Sequence, residues 1–314
     1  MPDMTAYAWV LPLVSGMADA FLRNFITFPG RHLHHFVLTA AGYLLALPYY
    51  VVWLWLAGMP EVQPTFWFFI GIEIPLLTAA QILTVRAHKL APLALTVPLH
   101  ATLPALLLLT SWLMKGRMPT WWGAVGVLIL TAGLYTLNLV SKKERVRWSD
   151  PLWQVLREPG LRCMLGAVGL YSITSNLDYD AWQSANAPFF LLMVHGACGT
   201  ISLLLALWYA RAGRLSHDEV DVRGLMPMLI MYGFVMMLSV VPQIWSFSWI
   251  AVMPYVIAEK RTGAILFAIG MGIAVSLLPR YAERHKEERE YLQYRIPGTL
   301  IMVGGMVLII LYGT

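Results

Sequence analysis

Glu73 is the residue best placed in this sequence to do chemistry: a carboxylate about eight residues into an apolar run, two positions before Pro75. An ionisable group at such depth in an apolar helix is costly unless it faces a cavity or a partner. Two readings stand. Glu73 takes up and releases a proton, or a lysine or arginine neutralises it and locks two helices together. Asp178 and Asp180, preceded by Asn176, lie toward the end of another apolar run, and Asp19 is their counterpart in the first. Residues two apart on a helix point to different faces, so one aspartate faces a cavity while the other meets water. The plainer reading makes both an interfacial helix end.

His100, between Pro98 and Pro104, and His195 are each set within apolar runs. Either shuttles protons or donates to an anion; the alternative for each is a neutral hydrogen bond between helices. Two basic pairs, Arg86 with Lys89 and Lys260 with Arg261, fall where apolar runs meet. Such pairs draw in an anionic solute, with arginine suited to bidentate contact with phosphate or carboxylate. As anchors they would instead snorkel at helix ends. Tyr171, Trp182, Gln243 and Trp245 are candidates for lining a cavity, although aromatics also populate interfacial belts. His32, His34 and His35 beside Arg31 read as an interfacial anchor. No acidic or cysteine ligand nearby completes a metal set, and Cys163 and Cys198 read as small packing residues.

The elements that must hold these residues follow from composition. With 59% hydrophobic and 12% charged residues and a mean hydropathy of +0.65, the chain carries more apolar surface than a soluble domain can hide. Its apolar runs approach the ~20 residues a helix needs to cross a bilayer core. Lipid offers the backbone no hydrogen-bond partner, so the spans are helices; runs such as Leu103 to Leu109 lack the alternation of a barrel strand. The sequence predicts an all-α polytopic membrane protein. Five spans fall near Tyr7 to Phe21, Phe36 to Ala57, Thr65 to Val85, Leu90 to Met114 and Trp121 to Val140. Five more fall near Cys163 to Tyr179, Pro188 to Ala210, Leu225 to Ala258, Thr262 to Leu278 and Ile296 to Tyr312. Residues 1–140 and 163–314 form two five-helix repeats, joined by a polar cytoplasmic linker over 141–162. The run from Leu225 to Ala258 is overlong for one crossing. One helix bent at Pro242 and Pro254 is the preferred reading, with a turn over Gln243 to Ser248 as the alternative.

Repetition is read from order. Asp19 and Pro29 match Asp178 and Pro188, Lys89 matches Lys260, and Gly126 and Gly133 match Gly298 and Gly305. An odd number of spans per repeat sets the second upside down against the first and encloses a site between them. Of the 22 lysines and arginines, four (Lys115, Arg117, Lys260, Arg261) fall on the side of the N-terminus. The remainder fall on the other side, which the excess of basic residues in cytoplasmic loops makes cytoplasmic. Both termini are then outside. The net charge of +5 is topological rather than a sign of nucleic acid.

The hairpin RAHKLAPLALTVPLHATLPALLLL and the stretch GRMPTWWGAVGVLILTAGLYTLNL are echoed in the second half by YVIAEKRTGAILFAIGMG and RIPGTLIMVGGMVLIILYG. Together they resemble the ten-span, two-repeat EamA-type members of the drug/metabolite transporter superfamily. The resemblance covers nearly the whole chain. It implies a secondary transporter, commonly an exporter, with a cavity between inverted repeats. Members of that family are usually drawn with cytoplasmic termini, unlike the loop charges here, and the charged tail ERHKEEREYLQYR departs from the pattern.

These readings converge on a carrier, not an enzyme, in the plasma (inner) membrane. It moves a small polar or anionic metabolite without a cofactor, and protons acting at Glu73 are the expected coupling. No GxxxxGK[ST] loop occurs, so energy comes from a gradient or exchange. A flippase for a lipid-linked group is the alternative, and a scaffold or receptor a third. The glycines of the fifth and tenth spans permit close helix contact, within the chain or in a homodimer.

Overall fold

The computed structural model describes residues 8–27, 29–91, 93–116, 119–139, 157–250, 252–276 and 286–312, and among these every regular element is helical. The order is α1 (Val10–Thr27), α2 (His35–Leu44), α3 (Leu47–Ala57), α4 (Pro64–Leu90), α5 (Leu93–His100), α6 (Leu103–Lys115) and α7 (Trp121–Leu139). After 140–156 come α8 (Pro159–Gln183), α9 (Ala187–Arg211), the single turn α10 (His217–Val220), α11 (Met226–Ser246), α12 (Met253–Ser276) and α13 (Lys286–Tyr312). Most of the 141–162 linker expected from the sequence lies outside the described residues, and α8 starts within its end.

Proline sets many of the starts. It occupies the first or second position of α3, α4, α6, α8, α9 and α11, where its missing N–H has no intrahelical partner to lose. The α6 helix ends at Gly116, whose φ of 62° is left-handed, a conformation that would strain a residue with a Cβ. Among the described residues, four segments are long and apolar enough to cross a membrane: His35–Ala57, Pro64–Leu90, Ala187–Arg211 and His217–Phe247. The α4 helix, at 27 residues, extends about 40 Å, beyond the ~30 Å of a bilayer core.

Two sequence expectations fail here. The run from Leu225 to Ala258 is not one bent helix: α11 stops at Ser246, a turn follows, and a new helix begins at Met253. Pro242 is accommodated inside α11, whereas Pro254 sits at the second residue of α12, where proline favours a start over a kink. The ninth apolar segment therefore begins well before Thr262. Lys260 and Arg261 belong to the body of α12 and not to a turn between spans. Likewise Arg86 and Lys89 lie in the last turns of α4, so the match of Lys89 to Lys260 pairs a helix end with a helix interior.

Helices pack in well-defined partners: α13 on α7, α8 on α4, α1 between α11 and α12, and α9 on α2 and α3. Gly126 and Gly133 of α7 abut Gly305, Gly298 and Met302 of α13 so closely that a Cβ on any of Gly126, Gly133 or Gly305 would strike the facing backbone. These glycines join two helices of one chain and are not a free face for a second copy. A buried core built on Tyr50, Phe66, Phe190 and Tyr232 occupies the middle, while Trp55, Leu56 and Trp121 stand more than two-thirds exposed on the outside.

Candidate functional site

The interior is not packed solid. Helices α1, α4, α8, α9, α11 and α12, with the end of α5, surround a cavity of about 140 Å³, room for several waters. One wall is a chain of charges. On α1, Asp19 and Arg23 are one helical turn apart, and the guanidinium donates to the carboxylate at 2.6 Å. Arg261 of α12 donates to the same carboxylate oxygen at 2.5 Å. Its other terminal nitrogen lies 2.8 Å from His100 Nε2, and its Nε has no hydrogen-bond partner. The helix start at Met253 turns Arg261 inward, and its residue is 8% exposed.

Lys260, 7% exposed, holds a second position on the same wall. Its ammonium donates to Ser239 O at 2.8 Å, Ser239 Oγ at 3.2 Å and Gln243 Oε1 at 2.8 Å, all on α11. No carboxylate forms an ion pair with it among the described residues. Gly16 makes this arrangement reachable, because a Cβ there would collide with the Lys260 carbonyl. Around this wall stand three cations and one carboxylate, and Asp19 is already shared between two arginines.

The opposite wall is less charged. Tyr171 of α8 stacks over His100 with centroids 5.8 Å apart, and its hydroxyl donates to Gln81 of α4. His195 lines the cavity, but its Nδ1 is 3.1 Å from the Tyr50 hydroxyl and its ring meets Tyr43 edge-on at 4.6 Å. That makes it an interhelical tie. Asp178 also lines the cavity. On α4, which packs against α8, lies Glu73, fully buried, whose carboxyl oxygens have no hydrogen-bond partner. No lysine or arginine pairs with Glu73 among the described residues. Glu259, also fully buried and without a hydrogen-bond partner, is a further carboxyl on α12.

The structure thus gathers Asp19, His100, Tyr171, Asp178, His195, Gln243, Lys260 and Arg261 around one cavity, with Glu73 buried on α4, one of the helices that line it. It leaves five candidates elsewhere. Asp180 points away from Asp178 and forms an ion pair with Lys115 at 2.9 Å, the lysine also sitting 4.5 Å over the Tyr179 ring. Arg86 and Lys89 line a separate pocket at one end of the bundle. Trp245 is half exposed and packs edge-on to Trp53; Trp182 packs near Tyr179 at 6.0 Å. The sequence reading missed Arg23, Gln81 and Ser239. Arg23 carried a usable signal, one turn after Asp19 on the same face. Ser239 acts largely through its backbone carbonyl, which no side-chain pattern encodes.

No family model and no curated protein matches the sequence. A solved structure described as "Crystal structure of protein" is similar with a TM-score of 0.66 at 15% identity, covering 98% of this chain and 97% of its own. At that identity the likeness is one of fold.

Proposed function

We propose that this protein is a secondary transporter of a small anionic metabolite, working by alternating access at the cavity between two inverted five-helix repeats. The observation that carries the proposal is Lys260: a buried ammonium on a cavity wall, held by neutral oxygens, beside an arginine whose carboxylate is shared. A buried charge without its own counter-ion is costly, and an anionic solute entering the cavity would supply one. Two cations side by side on one helix suit a carboxylate or phosphate.

The packing pattern supports the repeats. With α2–α3 and α5–α6 each counted as one rod, the contact of α4 with α8 has its counterpart in α11 with α1. That of α12 with α1 corresponds to α5–α6 with α8. The contacts of α7 with α13 and of α2–α3 with α9 map onto themselves. Such exchange is what inverted repeats produce, and it agrees with the resemblance to EamA-type transporters. With Lys260 and Arg261 in the body of a helix, the basic residues left between spans on the N-terminal side of the sequence are Lys115, at the end of α6, and Arg117, so the charge bias for termini outside the plasma membrane is sharpened. Glu73 and Asp178 serve as the coupling group in this reading, because Glu73 is a fully buried carboxyl with no hydrogen-bond or ion-pair partner among the described residues, on a helix packed against the one that presents Asp178 to the cavity.

The test is flux into proteoliposomes from a panel of mono- and dicarboxylates, sugar phosphates and inorganic phosphate. At least one is expected to be carried, and Lys260→Gln is expected to raise its KM by about tenfold or more, as loss of a charge-assisted hydrogen bond requires. If none of the panel moves, or if Lys260→Gln carries the same anion with unchanged KM, the reading fails.

A further inference from the structure

Away from the central cavity, a pocket of about 520 Å³ opens where α4 ends and α2 begins. Arg31, Arg86 and Lys89 line it, with Glu219 of α10 as its carboxylate. That carboxylate is engaged elsewhere: one oxygen accepts from the Ser216 backbone N–H at 2.9 Å and from its hydroxyl at 3.0 Å, closing the cap of α10. No ion pair joins Arg31 or Arg86 to a carboxylate among the described residues, and both are exposed. Lys89 is positioned for them, since its ammonium donates to the carbonyls of Arg31, at 3.1 Å, and Leu33. Two of its three N–H groups are used.

The pocket is also built. The backbone N–H of His34 donates to the Glu219 carbonyl at 2.8 Å, tying the segment before α2 to α10, and Tyr209 from the end of α9 contributes an aromatic wall. Just beyond it the Arg214 guanidinium sits 5.5 Å from the Tyr209 ring and 5.7 Å from that of the exposed Trp208. Ile82 and Leu90 give the pocket an apolar side. Unpaired guanidiniums at a helix end, an aromatic pair of the kind found at headgroup level and an apolar flank together present positive charge at the edge of a lipid-facing surface.

We infer that this pocket is a phosphate-binding site, with Arg31 and Arg86 as the charged clamp and Lys89 as a third donor. The phosphate is carried by the headgroup of an anionic lipid or by a soluble solute. Guanidiniums recognise phosphate oxygens in pairs, and basic pockets between spanning helices favour anionic headgroups. The inference does not depend on transport.

Delipidated full-length protein in neutral detergent, titrated by native mass spectrometry with phosphatidylglycerol and separately with phosphatidylcholine, tests it; inorganic phosphate is then added as a competitor. Phosphatidylglycerol is expected to be retained about tenfold more strongly than phosphatidylcholine. The double variant Arg31→Gln, Arg86→Gln, at exposed positions that carry little of the fold, is expected to abolish that preference. Displacement by millimolar phosphate identifies a site for soluble phosphates; retention against it identifies a lipid site. Equal retention of the two lipids with no inorganic phosphate adduct retained by the parent protein, or a preference unchanged in the double variant, overturns the inference.

Discussion

Asp19→Asn is the most informative single change to the charged wall. In the folded protein Asp19 accepts from Arg23 at 2.6 Å and Arg261 at 2.5 Å, with side-chain exposures of 19%, 11% and 9% respectively. Replacing the carboxylate by an amide leaves two buried guanidiniums facing each other across a group that cannot neutralise them. Breaking a buried ion pair from one side costs about 3–5 kcal/mol. The residual polarity of asparagine and the waters of the cavity pull the expectation toward the lower figure. For a chain of this size that loss corresponds to a fall of roughly 5–10 °C in melting midpoint. Thermal unfolding of detergent-purified protein, followed by intrinsic tryptophan fluorescence, reads it directly. The control is the cycle: Asp19→Asn combined with Arg261→Gln removes one of the stranded cations, so the double variant should be more stable than the sum of the two single losses by about 1–3 kcal/mol. A single variant that melts within ~2 °C of the parent, or a cycle that closes additively, would refute the claim that Asp19 holds the two arginines in place.

Three further outcomes follow from the same geometry. Glu73→Gln is expected to leave the protein folded and to remove the response of flux to an imposed pH gradient, measured in proteoliposomes with a pH-sensitive dye; unchanged coupling would sink the role given to the Glu73–Asp178 pair. Gly133→Val places a branched side chain against the Met302 backbone and should lower the melting midpoint or abolish assembly, whereas Gly304→Ala, which meets open space, should match the parent within ~2 °C. Tyr50→Phe removes the hydroxyl bonded to His195 and should cost about 1 kcal/mol, with no change in KM for the carried anion if that histidine is a structural tie.

Helical content and the presence of helices long and apolar enough to cross a membrane were legible in composition and run length, and Glu73, Asp19 and Asp178 were legible because a carboxylate among apolar residues stands out. What could not be read was where helices stop. The apolar stretch from Leu225 to Ala258 marks its break ambiguously, since Pro254 either kinks a continuing helix or opens a new one, and the turn over Gln243 to Ser248 is the alternative reading rather than the preferred one. That error moved Lys260 and Arg261 from the centre of the molecule to its edge. Asp178 and Asp180 show the opposite case: spacing alone separated them onto two faces, but the Lys115 that takes up Asp180 comes from a distant helix end and is a matter of tertiary packing. Arg86 and Lys89 were attractive by type, yet in the last turns of α4 it is His88 that lines the cavity, while Arg86 and Lys89 line the separate pocket.

The glycine seam of α7 and α13 has a mechanical consequence. At the glycines main chain rests on main chain, with Ile309 seated against Gly126 beside it and Thr120 bonded to the Tyr312 carbonyl at the end of the seam; separation would strip away close dispersion contacts that lipid tails refill poorly. If the two halves of the molecule trade openness from one side of the membrane to the other, this seam is the joint that stays closed, and α12, which touches both seam helices and carries Lys260 and Arg261, couples it to the charged wall.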